Sequence, residues 1–291
     1  MRPVRSSLRL RLVIFGLLAA GLFGTAAAAP LLLRHFARVF PDNYSRRAEE
    51  ALRRGDYEQA ARIAQQRIDR VGWDMDAHYL LARAQAAMGK PDEAAATMLE
   101  AMRKAFTARG RNITVSGYDE PLVFRLLGDY LWEAGRYQYA GDMYRAAIDA
   151  GSTDVGSLLL DRGNSGWPPE AAAAAAQVFL KLNAREPFER ALQSLAPAGA
   201  RDEDRARALV LRAQWAELND RDPGRAMELL ARGDGNTQVS PAVLSAPLVR
   251  LHLAGLLRRT RHVIEGAELE EELRSERGMR VIEFEKFQLP A

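Results

Sequence analysis

The chain has 291 residues, 48% of them hydrophobic and 27% charged, enough for one large domain or two small ones and too apolar for global disorder. It has no cysteine, which excludes disulfides, thiolate metal sites, a cysteine nucleophile and a lipidated N-terminal cysteine. A net charge of +3 invites a nucleic-acid reading that its distribution refuses. Arg2, Arg5, Arg9 and Arg11 stand in a 33-residue opening without an acid; with those four set aside from the 41 basic residues, 37 face all 38 acids. Such a body offers phosphate backbones no electrostatic footprint, so nucleic acid is not expected as a partner.

After the basic tail 1–11, residues 12–33 (LVIFGLLAAGLFGTAAAAPLLL) carry no charge and are flanked by Arg11 and Arg34. As a helix they would span about 33 Å, the thickness of a bilayer's hydrocarbon core. The sequence predicts a transmembrane anchor here. The alternative is a secretory signal cleaved near Ala28, after a small-residue site at Ala26-Ala27-Ala28. Arginines tie on the two sides; the short basic tail is the easier end to keep inside, which places the body in the periplasm, outside a bacterial inner membrane. The alternative leaves a soluble periplasmic or secreted protein that recognises a peptide or glycan.

Past Pro41 the pattern is of paired helices. RRAEEALRRGDYEQAARIAQQRI turns at Gly55, YLLARAQAAMGKPDEAAATMLEAM at Gly89 and RLLGDYLWEAGRYQYAGDMYRAAI at Gly135; each turn glycine is followed five residues later by an alanine, Ala60, Ala94 and Ala140. The first two turns lie 34 residues apart, a period typical of helical-hairpin arrays. Phe124, Leu127, Gly128 and Leu131 on one helix, with Ala140, Tyr144 and Ala147 on the next, resemble the tetratricopeptide (TPR) repeat, with Leu131 in place of the usual aromatic. Small residues at Gly128 and Ala140 let antiparallel helices approach to the short end of the usual packing distance, about 8–10 Å.

The resemblance implies an all-α, right-handed solenoid of helical hairpins: three well-formed repeats over 42–151, with an insert at 106–121, and degenerate ones over 170–277. Residues 152–169, rich in glycine and serine and closing on Pro168-Pro169, read as a linker. In the degenerate part, pairs turning near Glu186 and Arg221 align Ala191 with Ala226, and 245–277 give a last pair with Ala254 and Gly266 as close-contact candidates. In the tail 278–291, Ile282 and Phe284 alternate with Glu283 and Glu285 in a strand-like period.

No motif for catalysis emerges. Gly89-Lys90 lacks the rest of a phosphate loop, GNSGW (163–167) misses the esterase spacing, and His35, His78, His252 and His262 are scattered with no carboxylate at a metal-ligand spacing. No enzyme activity, cofactor or metal is expected. What the resemblance implies is a binding surface on the first helix of each pair. Its concave positions are Asp76, Tyr79 and Arg83, then Arg125, Asp129 and Trp132, then Trp215, with packing on a neighbouring repeat as the alternative for both tryptophans. Ser45, Glu49 and Leu80 stand where some TPR chaperone-binding domains carry a carboxylate clamp, so that clamp is absent. The expected partner is a protein or peptide held in the groove. The expected role is a membrane-anchored scaffold in envelope assembly or export: polysaccharide, pilus, secretion or cytochrome-maturation machinery.

Overall fold

A computed structural model describes residues 43–109, 120–164, 166–233, 239–260 and 263–275. The predicted anchor at 12–33, most of the 106–121 insert and the 278–291 tail lie outside the described residues. Among those described there are fourteen helices and no strand, as the all-α expectation requires, and no helix is long and apolar enough to cross a membrane. The chain divides into two compact units, Met1–Asp119 and Glu120–Ala291.

The first unit is two hairpins: α1 (Tyr44–Arg53) with α2 (Tyr57–Val71), and α3 (Met75–Ala87) with α4 (Pro91–Arg109). Asp56 and Asp74 cap α2 and α3, accepting from the backbone N–H of Gln59 and Ala77, and Pro91 opens α4 where a missing N–H costs nothing. Gly55 and Gly89 sit in the left-handed region that makes the turns. Ala51, Ala60 and Ala84, all fully buried, meet as one cluster, so the alanine spacing marks where backbones come closest. Asp74 then ties three helices together: Oδ1 accepts from the Tyr44 hydroxyl at 2.9 Å, Oδ2 from Arg67 Nε at 2.9 Å, and the Arg67 guanidinium lies 5.0 Å from the Tyr44 ring centre.

The second unit begins with the hairpin of α5 (Glu120–Glu133) and α6 (Tyr137–Asp149). A methyl group on Gly128 would lie 2.6 Å from Tyr144 Cε1, inside van der Waals contact, which is why the stripe needs glycine there. The stretch expected to be a linker contains a helix, α7 (Val155–Arg162), before α8 (Pro169–Lys181) and α9 (Arg185–Leu195) form the next hairpin. Val155 and Leu159, four apart, are its buried stripe, and the flanking glycines, serines and prolines that read as a loop are its ends.

That extra helix changes how the next hairpin meets α6. Gly141 of α6 abuts Ala174 of α8, and Lys181 Nζ lies 2.6 Å from Asp149 Oδ1 at the far ends of the same two helices, so α6 and α8 run parallel. In the first unit the corresponding α2 and α3 are antiparallel, joined at their turn by Arg67 and Asp74. The hairpin turns at Gly135 and at Asn183 consequently lie toward opposite ends of α6.

Beyond α9 come α10 (Asp202–Leu218), α11 (Pro223–Arg232), the one-turn α12 (Pro241–Leu244), α13 (Pro247–Arg259) and α14 (Val263–Ser275). The degenerate pairs turn through Asn183 and Arg221, whose positive φ of 54° and 56° takes the place glycine fills in the better repeats. Counting five residues from these turns gives Phe188 and Ala226. The Ala191 alignment is thereby corrected: Phe188, fully buried, occupies the alanine position of its pair, and Ala191 lies a turn further on. Gly266 is a true close contact, since a methyl there would stand 2.7 Å from the Ala254 carbonyl oxygen.

Gly128→Ala should destabilise the protein by about 1–3 kcal/mol in urea unfolding, the overpacking against Tyr144 outweighing a helix-propensity gain of about 1 kcal/mol. Gly135→Ala, with open space around it, should cost about 1 kcal/mol through backbone strain alone.

Candidate functional site

The predicted groove positions divide into three environments. In the first unit Asp76, Tyr79 and Arg83 follow one face of α3 at helical spacing; Asp76 and Arg83 are exposed and Tyr79 half-buried. The Arg83 guanidinium rests 5.4 Å from the Tyr79 ring centre. Burial first, and then the carboxylates of Asp74 and Glu49, raise the Asp76 carboxyl above the ordinary carboxylate range. Asp74 has Arg67 and Tyr44 to share its charge; among the described residues Asp76 has no such cation. Glu49, on α1, thus joins this face. It was legible only as a mismatch to the carboxylate clamp, because its closeness to Asp76 is tertiary.

The second group is occupied by the chain itself. Arg125 Nη1 lies 3.0 Å from Asp129 Oδ2, and its Nε lies 3.3 Å from Asp154 Oδ2 at the start of α7. From the other end of α7, Arg162 Nη2 reaches Asp129 Oδ1 at 3.1 Å, and its Nη1 donates to the Tyr144 hydroxyl, which itself donates to Asp129 Oδ1 at 2.9 Å. Trp132 is half-buried, its ring edge-on to Tyr137 at 5.0 Å with the Arg162 guanidinium 5.6 Å from its centre. Asp129 is buried; desolvation raises its carboxyl, opposed chiefly by Arg162, then by the Tyr144 hydrogen bond and Arg125. Burial, with Asp129 alongside, raises the Tyr144 phenol as well. The stripe Arg125, Asp129 and Trp132 was expected to face a partner, and it faces α7 instead. Arg162 was absent from the sequence-based set. Its signal was the short apolar period of Val155 and Leu159 ending in an arginine.

The third position is a correction. Trp215 is 5% exposed, packs on Phe188 with ring centres 4.6 Å apart, and donates its indole N–H to Asp220 at 3.2 Å. It is a core residue between α9 and α10, the alternative left open for it. Leu218 on the same helix is 61% exposed, so only the last turn of α10 presents an apolar side chain outward.

No cluster of three or more histidine or acidic side chains among the described residues could hold a metal ion. His78 is buried, its Nδ1 2.7 Å from the Asp74 carbonyl oxygen, and desolvation lowers its basicity; His252 is lowered in the same way, with Arg259 adding repulsion.

Residues 51–112 match the family model described as tetratricopeptide repeat. The matched stretch runs from the end of α1 through α4, so it contains the Asp76, Tyr79 and Arg83 face. Among solved structures, the TPR2AB domain–pHSP90 complex of yeast Sti1 is similar at 15% identity, over 81% of this chain and 90% of that one, with a TM-score of 0.34. No curated protein matches.

Two outcomes follow from this geometry. Asp129→Ala, which strips the buried carboxylate from two guanidiniums and a phenol, should cost about 2–4 kcal/mol in urea unfolding, nearer a buried pair than an exposed one. His78 and His252 have folded pKa values below their unfolded ones, so the unfolded chain takes up the protons first. Stability should be fully present above pH 7 and decline as pH falls through about 6.5. His78→Gln should flatten that decline in melting curves taken from pH 7.5 to 5.

Proposed function

We propose that this protein is a non-catalytic, membrane-anchored adaptor whose first unit holds a peptide segment of a partner protein along α1 and α3. The observation that carries the reading is the acidic pair at the head of the α3 face, Asp76 with Glu49 near enough to act on it, neither ion-paired among the described residues, next to the Tyr79–Arg83 stack. A lysine or arginine of an extended peptide placed there supplies the cation that Asp76, raised first by burial and then by the carboxylates of Asp74 and Glu49, lacks among the described residues, while an apolar or aromatic neighbour lies on Tyr79. TPR repeats serve protein–protein interaction, and the family match covers this same stretch. The second unit contributes less surface, because α7 already satisfies Arg125, Asp129 and Trp132.

The anchor reading rests on the sequence of residues 12–33 and on the basic residues ahead of it. With the body on the periplasmic side, the adaptor serves envelope assembly or export machinery. Retention of the full-length protein in membranes after carbonate washing supports the anchor; release of a mature form beginning after Ala28 would establish the soluble alternative.

The binding test is photo-crosslinking in the native organism from a probe at Tyr79, with products identified by mass spectrometry. One dominant partner peptide, enriched in basic residues at the crosslinked position, is expected. Asp76→Lys should lower its yield at least tenfold with helicity unchanged by circular dichroism, whereas an unchanged yield would place the partner elsewhere.

A further inference from the structure

The seam between α9 and α10 is unlike the other seams of the second unit. Where α8 meets α6, glycine and alanine bring backbones together; here Phe188 and Trp215 stand between the helices as a stacked pair. Past that pair the helices leave a cavity of about 430 Å³, within the range of about 300–1,000 Å³ in which proteins enclose small molecules. Leu192, Ala208, Leu209 and Val243 form the middle of its wall, with the Gln193 amide also on it. It follows α10 from Arg212, beside the aromatic pair, to Arg205, beside the exposed Pro197–Ala198 loop, about 10 Å along the helix.

The two arginines are not equivalent. Arg212 lies 3.8 Å from Glu189 on α9. Arg205 has one ion-pair neighbour among the described residues, Asp202 at the limiting distance of 4.0 Å, and its side chain is 41% exposed. The cavity is therefore an apolar slot with an under-engaged guanidinium at its open end. We propose that this slot binds a medium-chain fatty acid, its carboxylate on Arg205 and its alkyl chain running toward the Phe188–Trp215 pair.

The chemistry of the wall selects this ligand. An alkyl chain needs no hydrogen bonds, whereas a peptide would bring a donor and an acceptor with every residue into a lining whose polar side chains are only Gln193, Arg205 and Arg212, the two arginines donors alone. A guanidinium matches a carboxylate bidentately, and one end of the slot supplies it.

The test uses the full-length protein reconstituted in nanodiscs of zwitterionic lipid and a photoactivatable fatty acid with a diazirine in its chain. Adducts are mapped by mass spectrometry. They are expected on the peptides that carry Leu192 and Leu209, to be displaced by decanoate and not by decylamine, and to fall about tenfold in Arg205→Gln, which removes the cation that the carboxylate would pair with. Ala208→Trp, which fills the slot, should abolish them; Arg205→Gln is a surface change that keeps the test valid should the tryptophan disturb folding. Adducts confined to residues 12–33, equal displacement by decanoate and decylamine, or undiminished labelling of Arg205→Gln would each overturn the proposal. So would displacement by an apolar-ended peptide at concentrations where decanoate has no effect.

Discussion

How closely two helices can approach decides most of this structure. Glycine or alanine at the crossing point lets side chains from the opposite helix fill the space beside it, as Tyr144 does over Gly128 and as the alanines of α1, α2 and α3 do with one another. Dispersion and apolar burial then act over whole helix faces rather than at isolated points. Where the small residue is replaced by a large one the packing changes with it: Phe188 meets Trp215, and further along the same two helices an open cavity lies between them and Val243.

Polar groups are arranged around these apolar contacts according to how much water each can keep. Asp74 and Asp129 play related parts, each a carboxylate shared by a tyrosine hydroxyl and at least one guanidinium, joining helices that the apolar core alone would leave free to slide. Their partners come from different distances in sequence. Arg67 belongs to the helix just before Asp74, whereas Arg162 comes from a helix inserted between repeats. The second arrangement covers a face that an ordinary repeat would leave exposed. An exposed stripe on α3, Asp76, Tyr79 and Arg83, contrasts with a covered one on α5.

The helix pairs were legible because their information is local. Turn glycines, an alanine five residues later and apolar spacing within each helix locate α1 to α6 from the sequence. Asn183 hid its turn, since it does not announce a left-handed backbone as glycine does, and so Ala191 was aligned in place of Phe188, while the turn near Arg221 and its Ala226 stand where the spacing puts them. The helix α7 was missed because eight residues bounded by glycine, serine and proline carry too short a period to outweigh their ends. The candidate surface was the least legible part. Spacing assigns a residue to a face of its own helix, but whether that face meets water, α7 or Phe188 depends on partners far away in sequence. Asp76 and Arg83 are exposed and Tyr79 half-buried, whereas Arg125, Asp129 and Trp132 meet α7 and Trp215 meets Phe188.

The parallel run of α6 and α8 has an electrostatic consequence. Antiparallel neighbours let the positive end of one helix dipole lie against the negative end of the next, but here two negative ends meet, and Asp149 adds a full charge to the same place. The Lys181 ammonium, held against Asp149 in the last turn of α8, supplies the compensating cation where both dipoles call for one. Lysine is scarce in this arginine-rich chain, with only Lys90, Lys104, Lys181 and Lys286, and this one stands where the reversal of chain direction concentrates negative potential.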